Sequence, residues 1–133
     1  MKNLSSQKQT QSKSTVSGKQ YSYSEIIEFL DARWNSDLQD PALTTIKALD
    51  KAFGNLSQQM NTVLISGTNG KSLTTHFTAR LLKEEGIEVG AFSAPHILTY
   101  NERLSWNGEI ISNKQFTDVA NEVLQAVSTL NLN

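Results

Sequence analysis

A strand-like run, a glycine loop and a helix-like run follow one another in residues 62–82, TVLISGTNGKSLTTHFTARLL. This order constrains the fold more than any other feature of the chain. TVLIS is short, apolar on both faces and β-branched at Thr62, Val63 and Ile65. That is the composition of a strand buried on both sides in a parallel sheet. From Leu73 onward, Phe77, Leu81 and Leu82 fall on one face of a helix that should stop near Gly86. IEVGAFS, residues 87–93, then reads as a second strand. Strand, helix, strand predicts a right-handed βαβ unit with its strands parallel.

Between the first strand and the helix, GTNGK stands where a phosphate-binding loop belongs. The first N–H groups of a helix have no internal partner, and the helix dipole makes that end favourable for an anion. Gly67 and Gly70 allow a tight turn and a close approach of an oxygen to the backbone. Lys71 supplies a compact positive charge for outer phosphates, and Ser72 a hydroxyl for magnesium. The residue five before Gly70 is Ile65, so the match is to the short G-x-x-G-K form, not to G-x4-G-K-[ST]. A polar turn that merely joins strand to helix is the alternative.

The remaining elements are read from caps and periodicity. Ser22 and Glu25 form a capping-box pattern ahead of a helix with Ile26, Ile27, Leu30 and Trp34 on one face. Asp40 and Pro41 suit the N-cap and first position of a second helix, with Leu43, Ile46, Leu49 and Phe53 as its stripe and Gly54 as its stop. Asn107-Gly108, between two semi-apolar runs, predicts a β-hairpin. Ser112 and Gln115 cap a last helix whose core face is Phe116, Val119, Val123, Val127 and Leu130.

Composition narrows the class. Residues 1–20 are nearly all Ser, Gln, Lys, Thr and Asn and are expected to form a disordered tail, leaving 21–133 as one domain. The tail lacks the apolar core of a secretory signal and the arginines of a transit peptide. No run approaches the ~20 apolar residues of a membrane-spanning helix. A net charge of −1 offers no basic field for nucleic acid. With no cysteine there is no disulfide, thiolate zinc site or cysteine nucleophile. The expectation is a cytoplasmic protein with neither nucleic-acid nor membrane partners.

Gly67–Lys71, Pro95-His96, Glu102-Arg103 and Asn107-Gly108 also occur in a recognisable order and spacing. Together they resemble the folylpolyglutamate synthase and dihydrofolate synthase family, ATP-dependent ligases related to the Mur ligases. That family shows GTNGKGST before an amphipathic helix, then G-(F/Y)-(T/S)-S-P-H-L, E-R-(I/V) and a turn with N-G or a similar pair. DPALTTI, upstream, stands where the family has D-x-G-L-x-R-(I/V). The resemblance covers residues 21–111.

It implies an α/β fold with a P-loop NTPase-like, Mur ligase central-domain parallel sheet, incomplete in this chain. It also implies a reaction in which ATP phosphorylates a carboxylate and the amino group of glutamate attacks the acyl phosphate. Dihydropteroate, a folate or both would supply the carboxylate, with ATP and magnesium ion as cofactors and a monomer as the full-length state. Gly67, Thr68, Asn69, Gly70, Lys71 and Ser72 carry over as ATP contacts, Lys71 as the catalytic one. Gln39, Asp40 and Pro41, with His96 and Arg103, fall where the family contacts the pterin-bearing substrate. The expected metal ligands are Ser72, at the position found in ordinary phosphate loops, and Ser93, next to the position of the family's metal-ligating serine.

The chain departs from the pattern at four points. Leu73 replaces the hydroxyl two after the lysine, and Ala94 replaces the serine that ligates magnesium. Ala42 and Thr45 replace the upstream glycine and arginine. No apolar run ending in Asp or Glu follows Lys71, although phosphate-loop enzymes hold magnesium with such an acid. The chain is therefore expected to be the N-terminal portion of a ligase. A Mur ligase of peptidoglycan synthesis and a catalytically inactive ATP-binding module are the competing expectations, and APHI…NERL…NG favours the folate branch.

Overall fold

Two capping boxes begin the helices that carry the core. Ser22 N–H donates to Glu25 Oε2 at 2.8 Å and Glu25 N–H to Ser22 Oγ at 3.3 Å. Ser112 N–H donates to Gln115 Oε1 at 2.8 Å and Gln115 N–H to Ser112 Oγ at 3.2 Å. Each pair satisfies two donors that the helix itself leaves unpaired. The computed structural model describes residues 18–34 and 43–131. Its helices are α1 (Tyr23–Trp34), α2 (Leu43–Ala52), α3 (Lys71–Glu84) and α4 (Asn113–Thr129). Its strands are β1 (Gly90–Phe92), β2 (Leu104–Trp106) and β3 (Glu109–Ile110), with 3-10 turns at Leu56–Gln58 and Tyr100–Arg103.

The core lies between α1 and α4. Ile26 and Phe116 are 3% and 9% exposed, and the Tyr23 ring meets Phe116 edge-on at 5.9 Å. Tyr21 N–H donates to Asn121 Oδ1 at 2.7 Å, and Asn121 Nδ2 donates back to Tyr21 O at 2.8 Å. Asn101, 4% exposed, joins three parts of the fold. It accepts from Tyr23 Oη at 2.8 Å and donates through Nδ2 to Ile111 O at 2.9 Å and to Asn113 Oδ1 at 3.1 Å. A buried amide is tolerated because its partners are supplied. The described chain begins within the expected tail, and Lys19 there pairs with Glu25 at 3.5 Å.

The hairpin forms as expected. Asn107 (φ 49°) and Gly108 (φ 81°) are both left-handed, the type I′ arrangement whose twist suits two joined strands. Asn107 also ties the turn to the chain before β1, through Asn107 N–H to Val89 O at 2.8 Å and Val89 N–H to Asn107 Oδ1 at 2.9 Å. Gly108→Ala should cost about 1 kcal/mol, because only glycine occupies that φ without strain. A thermal melt with an unchanged midpoint would contradict this.

Of the expected βαβ unit, the helix (α3) and the second strand (β1) form among the described residues and the first strand does not. The order of the sheet is β1-β2-β3, and both pairings are antiparallel, with Phe92 opposite Leu104 and Trp106 opposite Glu109. Residues 62–66 belong to no strand among those described. A run apolar on both faces becomes a strand only with neighbours at its edges and cover on both faces. The described residues supply neither, and Val63 and Leu64 are exposed. α3 ends as expected, with Gly86 (φ 78°) donating to Lys83 O and Ile87 N–H to Leu82 O, the double bond of a Schellman cap. Its expected core stripe is exposed at Leu73, Phe77 and Leu81, as are Leu43 and Ile46 of α2 and Val119, Val123 and Leu130 around α4. The caps expected at Asp40 and Pro41 lie outside the described residues, as does the Trp34 side chain.

Candidate functional site

Two glycines shape the loop ahead of α3. Gly70 is the N-cap in the left-handed region at φ 78°, and Gly67 stands at φ 151°. No side chain caps the helix, and its first turn holds no acid. The first backbone bond of α3 runs from Thr74 N–H to Gly70 O at 2.9 Å. The amides of Lys71, Ser72 and Leu73 thus face outward at the positive end of the helix dipole. Lys71 bends back, its Nζ donating to Gly67 O and, at 3.3 Å, to Thr68 O. Its ammonium therefore sits over the loop and beside the outward amides. Gly67, Thr68, Asn69, Gly70, Lys71 and Ser72 are all exposed. The arrangement is a small concentration of positive charge and N–H donors open to solvent, which suits phosphate oxygens.

A second loop follows β1. The 14 residues of α3 rise about 21 Å. Residues 87–93 can retrace nearly the same length when extended, roughly 23 Å. α3 packs on β1, the strand that precedes Ser93. Ser93 N–H donates to Arg103 O at 2.9 Å, which closes the loop at its base. The Ala94–Pro95 peptide is cis.

Glu102 organises this loop from within. Its carboxylate accepts from the amides of Ile97 (2.9 Å), Leu98 (2.8 Å) and Thr99 (2.7 Å). These bonds favour the charged form, so the backbone donors, that of Ile97 foremost, hold the carboxyl below its ordinary value of 4.5. The bonds are present at neutral pH and are lost as pH falls below 4.5 through the lowered value. On acidification, the amide resonances of Ile97, Leu98 and Thr99 should shift together with one midpoint below 4.5. Glu102→Gln should abolish that transition, and a midpoint at or above the ordinary value would contradict the assignment.

His96 and Arg103 are brought together across the loop. Arg103 Nε donates to His96 Nδ1 at 2.8 Å, which makes Nδ1 an acceptor. The His96 ring lies 4.3 Å from that of Tyr100, and the Arg103 guanidinium 5.4 Å from it. Tyr100 Oη in turn donates to Asp31 Oδ1 of α1 at 2.8 Å, and that carboxylate raises the phenol's pKa above 10.0. Tyr100 and Asp31 were not expected from the sequence, where they stand far apart. Thr99-x-x-Glu102, by contrast, is a capping-box spacing legible in TYNE. Gln39, Asp40 and Pro41 lie outside the described residues. Among the described residues, no three His, Asp, Glu or Cys side chains are grouped to hold a metal ion. Nor is any described helix long and apolar enough to cross a membrane.

Helices around a small partial sheet, with a glycine loop opening one helix, define a mixed α/β protein. No model of a protein family matches the chain. The dihydrofolate synthase/folylpolyglutamate synthase of Bacillus subtilis is 37% identical over 90 residues, which are 68% of this chain and 21% of that protein. Folylpolyglutamate synthase from Thermotoga maritima superposes with a TM-score of 0.71 at 27% identity, over 84% of this chain and 25% of that one. The Mycobacterium tuberculosis folylpolyglutamate synthase complexed with ADP gives 0.73 at 29% identity, over 80% and 23%. The resemblance read from the sequence is thereby shown: these residues correspond to a portion of a folylpolyglutamate or dihydrofolate synthase, of the Mur ligase fold. The chain spans about a fifth of the curated relative and about a quarter of each solved structure.

Proposed function

We propose that residues 21–133 are the N-terminal part of the ATP-binding domain of a ligase of folate metabolism. The ligase joins L-glutamate to dihydropteroate, to folates or to both through an acyl phosphate. The observation that carries the reading is the uncapped, acid-free start of α3 with Lys71 folded over it. Relatives named for this activity support it, as does a solved relative complexed with ADP. In this reading Gly67–Ser72 cradle the phosphates, and Lys71 neutralises charge on the γ-phosphoryl group as it transfers. His96 and Arg103, fixed on Tyr100 and Asp31, present a positive, aromatic-backed surface suited to the pterin-bearing substrate.

Magnesium fits the Ser72 hydroxyl, which makes no hydrogen bond among the described residues and adjoins the phosphate position. Ser93 is the second ligand in this reading. The remaining ligands would be phosphate oxygens and water, as magnesium commonly prefers. When bound, the ion offsets charge on the phosphates. ATP, glutamate and the folate-type acid are the partners, and the protein acts as a cytoplasmic monomer when full length.

A second reading, an ATP-binding module without ligase activity, is favoured by Ala94 at the position of the family's metal-ligating serine. Calorimetric titration with ATP and magnesium chloride tests both. Saturable one-to-one binding is expected, and no binding would overturn both. ADP release that requires dihydropteroate or folate together with glutamate selects the ligase. Binding without that release selects the module.

A further inference from the structure

Asn-Gly occurs twice in the chain, at Asn69-Gly70 in the loop ahead of α3 and at Asn107-Gly108 in the hairpin. The dipeptide carries a chemistry of its own. The glycine nitrogen can attack the side-chain carbonyl of the asparagine, and a residue with no Cβ does not obstruct the approach. The fold treats the two pairs differently. Asn107 is half-buried and doubly held, its Oδ1 accepting from Val89 N–H at 2.9 Å and its own N–H donating to Val89 O at 2.8 Å. Asn69 and Gly70 are exposed, and among the described residues neither the Asn69 side chain nor the Gly70 N–H takes part in a hydrogen bond. A Cβ placed on Gly70 would meet nothing within 4 Å, so the space around that nitrogen is open. The charges of the loop act in the same direction. The attacking species is the deprotonated Gly70 nitrogen. Gly70 is the N-cap of α3, at the positive end of the helix dipole, and the Lys71 ammonium lies on the carbonyls of Gly67 and Thr68. Nearby positive charge favours that anion.

We infer that Asn69 is a site of spontaneous deamidation in the folded protein, and that Asn107, in the same dipeptide, is spared. Gly70 N gives its proton to a solvent base and bonds to Asn69 Cγ. The Cγ–Nδ2 bond breaks, and ammonia leaves with a proton taken from water. Water then opens the succinimide ring. Attack at Cγ gives aspartate, and attack at the main-chain carbonyl gives isoaspartate, whose backbone is longer by a methylene carbon. The net change consumes water and releases ammonia, with no oxidation or reduction. Either product sets a carboxylate among the outward amides and beside Lys71, where it competes with a phosphate. That consequence rests on the phosphate-binding reading, whereas the deamidation does not.

The test is peptide mapping by mass spectrometry on this chain, incubated without nucleotide in mildly alkaline buffer, folded and in urea. In the folded chain the acid product should accumulate at least about tenfold faster at Asn69 than at Asn107, because Asn107 reacts only after two hydrogen bonds have opened. In urea the two rates should converge, since the hairpin no longer restrains Asn107. Equal rates in the folded chain, or a ratio that urea leaves unchanged, overturns the inference. Calorimetry with magnesium-ATP on fresh and aged chain reads the consequence, and the number of binding sites should fall in step with the deamidated fraction of Asn69. An aged chain that keeps all its sites overturns the consequence. A fresh chain that binds no ATP overturns the phosphate reading instead and leaves the measured deamidation standing.

Discussion

Lys71→Ala weakens magnesium-ATP binding roughly ten- to hundredfold, with no change in helix content. The magnitude follows from the bond type, since a hydrogen bond to a charged group contributes about 1.5–3 kcal/mol net and each 1.4 kcal/mol is tenfold. The ammonium is not idle without ATP. It is bonded to Gly67 O and Thr68 O, and a phosphate has to compete with those carbonyls. That competition keeps the loss near the middle of the range. The fold is indifferent to the change, because Lys71 is exposed and both its bonds are local. Lys71→Arg should not restore affinity, as a planar fork cannot fold back over a three-residue turn as a point charge does. Calorimetry with far-UV circular dichroism separates the outcomes. Unchanged affinity would leave GTNGK a polar turn between two elements.

What the sequence disclosed depended on how local the determinant was. The boxes at Ser22/Glu25 and Ser112/Gln115, and the turn at Asn107-Gly108, are each decided within four residues, and each forms as read. Thr99-x-x-Glu102 is equally local, and its bonds close within the same four residues. Pairing and packing are not local. TVLIS reads as a strand because its side chains want cover, yet only distant residues can provide it. The same need explains the bare stripe of α3. The Asp31–Tyr100 bond, which backs His96 and Arg103, joins residues 69 apart in sequence. No spacing rule reaches that far, whereas the loop's own glycines were legible because a left-handed φ is a property of one residue.

Phe116→Ala should be the most destabilising single substitution in the described fold, by about 3–5 kcal/mol, the usual cost of removing a buried phenyl ring. Phe116 and Ile26 are the only buried apolar residues among those described. A domain typically has some 5–15 kcal/mol in total, so the loss approaches the whole. The ring does more than fill volume. It meets Tyr23 edge-on at 5.9 Å, a geometry with its own attraction. Tyr23 is also the donor to buried Asn101, which in turn ties Ile111 and Asn113. Freeing the Tyr23 ring therefore loosens a polar junction that cannot rehydrate cheaply. Val119→Ala, three residues along the same helix but exposed, should cost under about 0.5 kcal/mol. Urea unfolding followed by circular dichroism compares the two directly, and an unfolded Phe116→Ala protein in the absence of urea meets the expectation. Equal midpoints for the two variants would mean that the α1–α4 contact does not hold this chain together.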